Sequence, residues 1–269
     1  MKAEISLENH KFEIDFSKGN DLSIPILFNG KQPNTYKVPH ATSKPYKDGQ
    51  FIGDTRMGGS CNFETYTITP HCNGTHTECI GHITNDRISI LNSLKEEIIL
   101  STLITVIPEK SDEIYKPSLN DQDLVITKKQ LQYSLNNFNT SFCDALIIRT
   151  LPNSPKKKQI DYMQNPPAFF TIDAMKYVVG IGVKHLLVDI PSVDRLFDDG
   201  ILSAHNLFWE TNEKSLNDNS RSKTITEMIY VPNEIEDGNY LLNLQIAPFF
   251  SDAAPSRPII YKINELQKK

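Results

Sequence analysis

The segment with the clearest chemical potential is residues 70–83, PHCNGTHTECIGHI. Three of the seven histidines, His71, His76 and His82, fall within it, together with Cys72, Cys79 and Glu78. Imidazole, thiolate and carboxylate are the side chains that hold zinc and similar divalent ions, and in an extended chain the alternation of faces decides which of them can converge. Residues 72, 74, 76 and 78 share one face, so an extended reading presents Cys72, His76 and Glu78 together, with Gly74 leaving room for an ion. On that reading His71 points away. A bulge at Asn73 and Gly74, two residues that tolerate left-handed backbone, would bring His71 into the site in place of Cys72.

One strand rarely completes a catalytic metal site, which needs at least three protein ligands and an open position. Further donors must come from a distance. His205 and Glu210 lie in AHNLFWE, and Glu227 lies in KTITEMIY. Glu227 alternates with Ile225 and Ile229, which aims a carboxylate into an otherwise apolar face, where a cation would offset its burial. Glu210 borders the polar run 211–223 and is expected to be solvated, so Glu227 is the expected ligand. A divalent ion lowers the pKa of bound water toward about 7 and polarises a carbonyl, which makes hydrolysis at neutral pH feasible. The departing amine needs a proton, which an imidazole can supply, and His82 is the expected donor.

The elements that would carry these residues can be read in outline. Residues 22–70 are rich in Pro, Gly, Asn and Thr and break into short apolar pieces, which predicts strands and long loops. Residues 97–107 (EIILSTLITVI), 145–149 (ALIIR) and 186–189 (LLVD) read as strands buried on both faces of a central sheet. Helices are expected at 127–136, where Thr127 can cap and Leu131 and Leu135 share a face, and at 171–179, where Thr171 can cap and Gly180 ends the run. The order helix, glycine turn, strand over 171–189 is an α/β unit, and it excludes a dinucleotide fingerprint at Gly180–Gly182. Phe169, Phe170, Trp209, Phe249 and Phe250 are expected in the core. The run 211–223 (TNEKSLNDNSRSK) is expected to be a surface loop.

The bulk properties narrow the field further. The 269 residues carry a net charge of −5 with scattered basic residues, so nucleic-acid binding is not expected. The uncharged apolar run from Ile98 to Pro108 is too short to span a bilayer, and residues 1–16 show no secretory signal, so a cytoplasmic protein with reduced cysteines is expected.

GTHTECIGH at 74–82 resembles the His-x-Gly-Thr-His-x-Asp-x-Pro-x-His signature of the cyclase family of metal-dependent hydrolases, which includes bacterial kynurenine formamidase. DLSIPI at 21–26, DALIIRT at 144–150, the stretch 172–194, SAHNLF, ITEM and APFFSDAAPSRPIIY resemble the family's other blocks in order, so the likeness covers nearly the whole chain. It implies an α/β fold: a single domain over 1–269 with a central mixed sheet flanked by helices, of the swivelling β/β/α kind. It also implies one or two ions held by Cys72, His76, Glu78, His205 and Glu227, with His82 in proton transfer, cleavage of an aryl formamide as in tryptophan catabolism, and a homodimer. Three departures stand out: the family's first His falls at Cys72, its Asp at Glu78 and its Pro at Ile80. A thiolate and a longer carboxylate still suit zinc, with manganese as the second choice. The competing readings are a same-fold hydrolase acting on another amide, lactam or ester, and a non-catalytic metal- or ligand-binding protein.

Overall fold

The computed structural model describes residues 1–7 and 10–266. Seven strands form its centre: β1 (His76–Cys79), β2 (Ile98–Val106), β3 (Ala145–Thr150), β4 (His185–Val188), β5 (Thr224–Glu227), β6 (Gly238–Ile246) and β7 (Ala253–Glu265). They pair in the order β1-β5-β4-β3-β2-β6-β7, and β7 returns to pair with β1, which closes the sheet into a barrel. The run β2, β3, β4, β5 is parallel and every other pairing in the ring is antiparallel, so the sheet is mixed, as expected. Closure depends on the length of β7. Its first residues, Ala253–Pro255, pair with β1, its middle pairs with β6, and its end pairs with the N-terminal hairpin Lys2–Leu7/His10–Asp15.

The parallel strands are buried on both faces. Ala145, Ile147 and Leu187 pack inside the barrel with Leu103, Leu242 and Ile260. Leu146, Ile148, Leu186, Val188 and Ile225 pack outward under the helices. This accounts for their unbroken apolar sequence: alternation would require one face in water. The covering helices are α1 (Lys128–Leu135), α2 (Ile172–Gly180) and α3 (Ser203–Phe208). Thr127 forms a full capping box with Gln130 at the start of α1, and Leu131 and Leu135 are its buried residues. Thr171 accepts from the Ala174 N–H at the start of α2. The glycine that turns left-handed after α2 is Gly182, at φ 84°, rather than Gly180, which is the last helical residue.

Two further expectations need correction. Phe249 and Phe250 are exposed, at 41% and 78%, whereas Phe169, Phe170 and Trp209 are buried as expected. Residues 70–73 are not extended: Pro70–Asn73 is a helical turn, with Thr69 in the N-cap position and Pro70 opening it. Residues 211–223 are mostly surface, as expected, although Ser220 is fully buried beside a 3₁₀ turn at Asp218–Ser220. No helix among the described residues is long and apolar enough to cross a membrane.

Candidate metal centre

The site lies at the seam where the barrel closes, because β1 has β5 on one side and β7 on the other. In β1, His76 and Glu78 point to the same face. Register places Glu227, the last residue of β5, opposite His76, and Ala253, the first residue of β7, opposite Glu78. His82 follows in a 3₁₀ turn after β1, His205 comes from α3, and Asp252 sits just before β7. His71 enters from the helical turn before β1.

These side chains converge. Glu78 has one oxygen 3.0 Å from His71 Nδ1 and 3.7 Å from His82 Nε2, and its other oxygen is 3.2 Å from His205 Nε2. Glu227 lies 3.5 Å from His76 Nε2 and 3.8 Å from His205 Nε2. Asp252 reaches His71 Nε2 at 2.9 Å and His82 Nδ1 at 3.4 Å. The His71 and His82 rings stack at 4.3 Å. Three sets have their donor atoms close enough to share an ion: His71 with His76 and Glu78, Glu78 with His82 and His205, and His71 with His82 and Asp252.

The ring tautomers are set from behind. His205 Nδ1 hydrogen-bonds Asp194 at 2.6 Å, and Asp194 also accepts the N–H groups of Ala204 and His205 and the Tyr115 hydroxyl. His76 Nδ1 bonds the Gly74 carbonyl at 3.1 Å. In both residues Nε2 is left facing the cluster, the arrangement in which an outer hydrogen bond orients a metal-binding imidazole. The Val193 N–H holds Glu227 Oε1 at 3.0 Å.

The inner atoms have no such partners. His76 Nε2, His205 Nε2 and both oxygens of Glu78 are buried without a hydrogen bond, despite their close approach to one another. An uncompensated buried carboxylate costs several kcal/mol. The residues therefore fit divalent cation binding, with His76 and His205 falling in two different donor sets that share Glu78. The electrostatics agree. Burial opposes charge on His71 and His205, yet Asp252 and Glu78 draw His71 up to about 10, and Asp194 and Glu78 raise His205 well above the usual imidazole range. Burial pushes Glu78 up, but His82, His205 and His71 hold it well below the usual carboxylate range. Asp252 is lowered by its bonds to His71 and His82. Protons on His71 and His205 thus offset the neighbouring carboxylates, a role a cation would take over.

Among the residues singled out from the sequence, His76, Glu78, His82, His205 and Glu227 are brought together. Cys72 is in none of the three sets. Its premise fails with the strand: in a helical turn alternate residues do not share a face, so the turn carries His71 to Glu78 and leaves Cys72 buried, where burial raises its thiol pKa. Glu210 is half-exposed and pairs with Lys223 at 2.6 Å, well outside the cluster. Asp252 and the orienting role of Asp194 were not read from the sequence, although both fall in blocks that carry the family likeness. The cavity of about 460 Å³ beneath the N-terminal hairpin, between Phe12, Phe142 and Tyr240, is lined by none of the cluster residues.

The family described as "Putative cyclase" matches residues 20–195, about two thirds of the chain. The chain belongs to the cyclase family. It is 27% identical over 205 residues to the kynurenine formamidase of Bacillus cytotoxicus, covering 76% of this chain and 82% of that protein. Among solved structures, an isatin hydrolase bound to the product analogue thioisatinate superposes with a TM-score of 0.63 at 12% identity, covering 92% of this chain and 93% of that one. A predicted metal-dependent hydrolase from Bacillus stearothermophilus gives 0.59 at 16% identity, covering 91% and 98%. At those identities the two structures establish that this cyclase-family chain shares their fold.

Proposed function

We propose that the protein is a metal-dependent hydrolase that cleaves a carbon–nitrogen amide bond, with an aryl formamide as substrate class. The observation that carries this reading is the set of four orphaned donor atoms on His76, His205 and Glu78, buried where three carboxylates and four histidines meet. His71, His76, Glu78, His205 and Glu227 would hold one or two ions, with Glu78 between the two groups. Membership of the cyclase family and likeness to a kynurenine formamidase support the choice of an amide.

When bound, a divalent ion, most readily zinc for this nitrogen and oxygen set, supplies an acidic water and polarises the carbonyl under attack. The chain's own groups do the rest. Asp194 and the Gly74 carbonyl fix the His205 and His76 rings, so neither must reorient during turnover. His82 is 30% exposed, which lets it reach both solvent and substrate, and Asp252 bonds its Nδ1 side. It would therefore give a proton to the departing amine from Nε2, as a positioned imidazole can. The products from an N-formyl arylamine are formate and the arylamine. The work is expected of a cytoplasmic homodimer acting on a small molecule.

The test combines elemental analysis of protein purified with metal supplied and a panel of N-formyl arylamines, lactams and esters. At least about one ion per chain and fastest turnover of the formamides are expected, since a catalytic ion must be bound to act. His82→Ala should lower the rate roughly 10²- to 10⁴-fold with metal retained. Less than about one ion for every ten chains would overturn the reading.

A further inference from the structure

Two exposed aromatic rings, Tyr36 and Phe197, pack against each other near the metal centre, and Tyr36 is displayed by backbone that such residues seldom adopt. Tyr36 and Lys37 are the central residues of a tight turn closed by the Val38 N–H on the Thr35 carbonyl at 3.2 Å. Both have positive φ, 53° and 55°. That is the type I′ arrangement, which Gly, Asn and Asp dominate because a bulky side chain is strained there. Tyr36 is nonetheless 47% exposed, so no core packing of its ring explains the strain. The turn is tied to the metal-centre segment, since the Asn73 side chain donates to the Pro39 carbonyl at 3.3 Å.

Phe197 meets Tyr36 from a different segment, without backbone strain of its own. It follows Asp194, the residue that orients His205, by three positions. Its neighbours are fixed: Leu196 is buried against Ile24, Met228 and Tyr230, and Asp198 is buried and accepts the N–H groups of Gly200 and Leu202. Phe197 itself is 70% exposed. The two rings meet edge to face, 6.0 Å apart at 82°. Tyr36 also feels the site: apart from burial, the charges that raise its hydroxyl pKa are those of Glu227, Asp198, Cys72 and Asp194.

From the edge-to-face pair and the strained turn that displays Tyr36, we infer that Tyr36 and Phe197 form the corner that receives the planar aryl group of the substrate. The inference rests on the hydrolase reading for what happens next, but the corner itself is a binding feature. Local backbone strain persists where the surrounding structure enforces it, and such positions cluster at ligand clamps. A perpendicular aromatic pair offers a face and an edge to a third ring, so a flat aryl group can stack on one and meet the other edge-on, whereas an alkyl chain gains only contact area. The reacting carbonyl would then lie toward Glu227 and His205, on the side of Tyr36 that faces the metal centre.

Two measurements on the metal-loaded full chain separate this inference from the hydrolase reading. The first is calorimetric binding of 2-aminobenzoate. The second is the ratio of kcat/KM for formanilide to that for N-propylformamide. In Tyr36→Ala and Phe197→Ala, binding is expected to weaken about 3- to 10-fold and the ratio to fall by a similar factor, the span for losing one aromatic contact. Tyr36→Phe, which keeps the ring, is expected to bind as the wild type does. No binding of 2-aminobenzoate by the wild type, or affinity and ratio within twofold of wild type in both Ala variants, would overturn the corner. Binding that depends on both rings in a protein that hydrolyses neither formamide would uphold the corner and overturn the hydrolase reading.

Discussion

Two buried carboxylates, carried by strands that only β5 separates, are treated in opposite ways. Asp189, at the end of β4 in the parallel half, is saturated: it accepts the Thr150 N–H and hydroxyl and lies 2.7 Å from Lys157 Nζ. Glu78, at the seam between β5 and β7, is surrounded by imidazoles but has no hydrogen bond on either oxygen. Buried polar groups are normally paired, and one left unpaired in a well-packed surrounding needs an explanation. Asp189 ties β3, β4 and the following segment together and is complete without a ligand. On the hydrolase reading, Glu78 would be completed by a cation. The parallel half is thus self-sufficient, and the closing seam leaves donor atoms free for the ion proposed above.

The sharpest way to break that contrast is to neutralise each carboxylate in turn. Glu78→Gln is expected to abolish metal binding and reduce turnover by roughly 10³-fold or more, with far-ultraviolet circular dichroism unchanged. Asp189→Asn leaves Lys157 buried against a neutral amide and should cost about 3 kcal/mol of stability, read by denaturant unfolding, with kcat of the folded enzyme near wild type. If Glu78→Gln kept its metal, or Asp189→Asn lost activity without losing stability, the two carboxylates would have been assigned the wrong way round.

The next effect distinguishes the two residues that compete for the first ligand position. His71→Ala is expected to weaken metal affinity at least tenfold, because it removes the imidazole 3.0 Å from Glu78 and frees Asp252 as well. Cys72→Ser should keep wild-type metal content. Metal loss in the serine variant alone would show that the thiol moves into the site on loading.

The pH dependence follows from the same crowding. In metal-stripped protein His71 is raised to about 10 from an ordinary value of 6.5. A raised folded pKa contributes stability that is complete below the unfolded value and is lost as pH rises through the folded one. Metal-stripped protein should therefore lose thermal stability between about pH 6.5 and 10, and metal should bind more tightly over that range as it stops competing with protons. A midpoint that rises across the range in metal-stripped protein would contradict the cluster's charge balance.

What could be read in advance divides along the same line between the two halves. The parallel half was legible because its determinants are local: unbroken β-branched runs at β2 and β3, Thr127 three residues before Gln130, and Thr171 before α2. The seam was legible in its residue types and motif but not in its closure. Strand parity selected Cys72, yet Thr69 before Pro70 is an N-cap followed by a proline at the first helical position, a signal for the turn that carries His71 inward. Asp252 carried no local signal. It reaches His71 only because β7 crosses back to β1 from 181 residues away in sequence, and closure of a barrel is not written in any window of the chain. Glu227 was legible because alternation in β5 is local, although its pairing with His76 across β1 was not.

The smallest effect tests the parallel half on its own terms. Thr127 caps α1 by accepting the Gln130 N–H, and Gln130 returns a bond to the Thr127 N–H. Loss of such a cap costs about 1 kcal/mol in a typical helix, because an amide that the helix cannot pair internally loses its partner. The helix lies across β2 and contributes Leu131 and Leu135 to the outer core, but it supplies no residue to the metal centre. Thr127→Ala is therefore expected to lower stability by about 1 kcal/mol while leaving metal content, kcat and KM at wild-type values. Thr127→Ser, which keeps the hydroxyl, should recover most of the loss. If the alanine variant instead lost metal in step with its stability, the covering layer and the seam would be coupled, and the self-sufficiency of the parallel half would have to be given up.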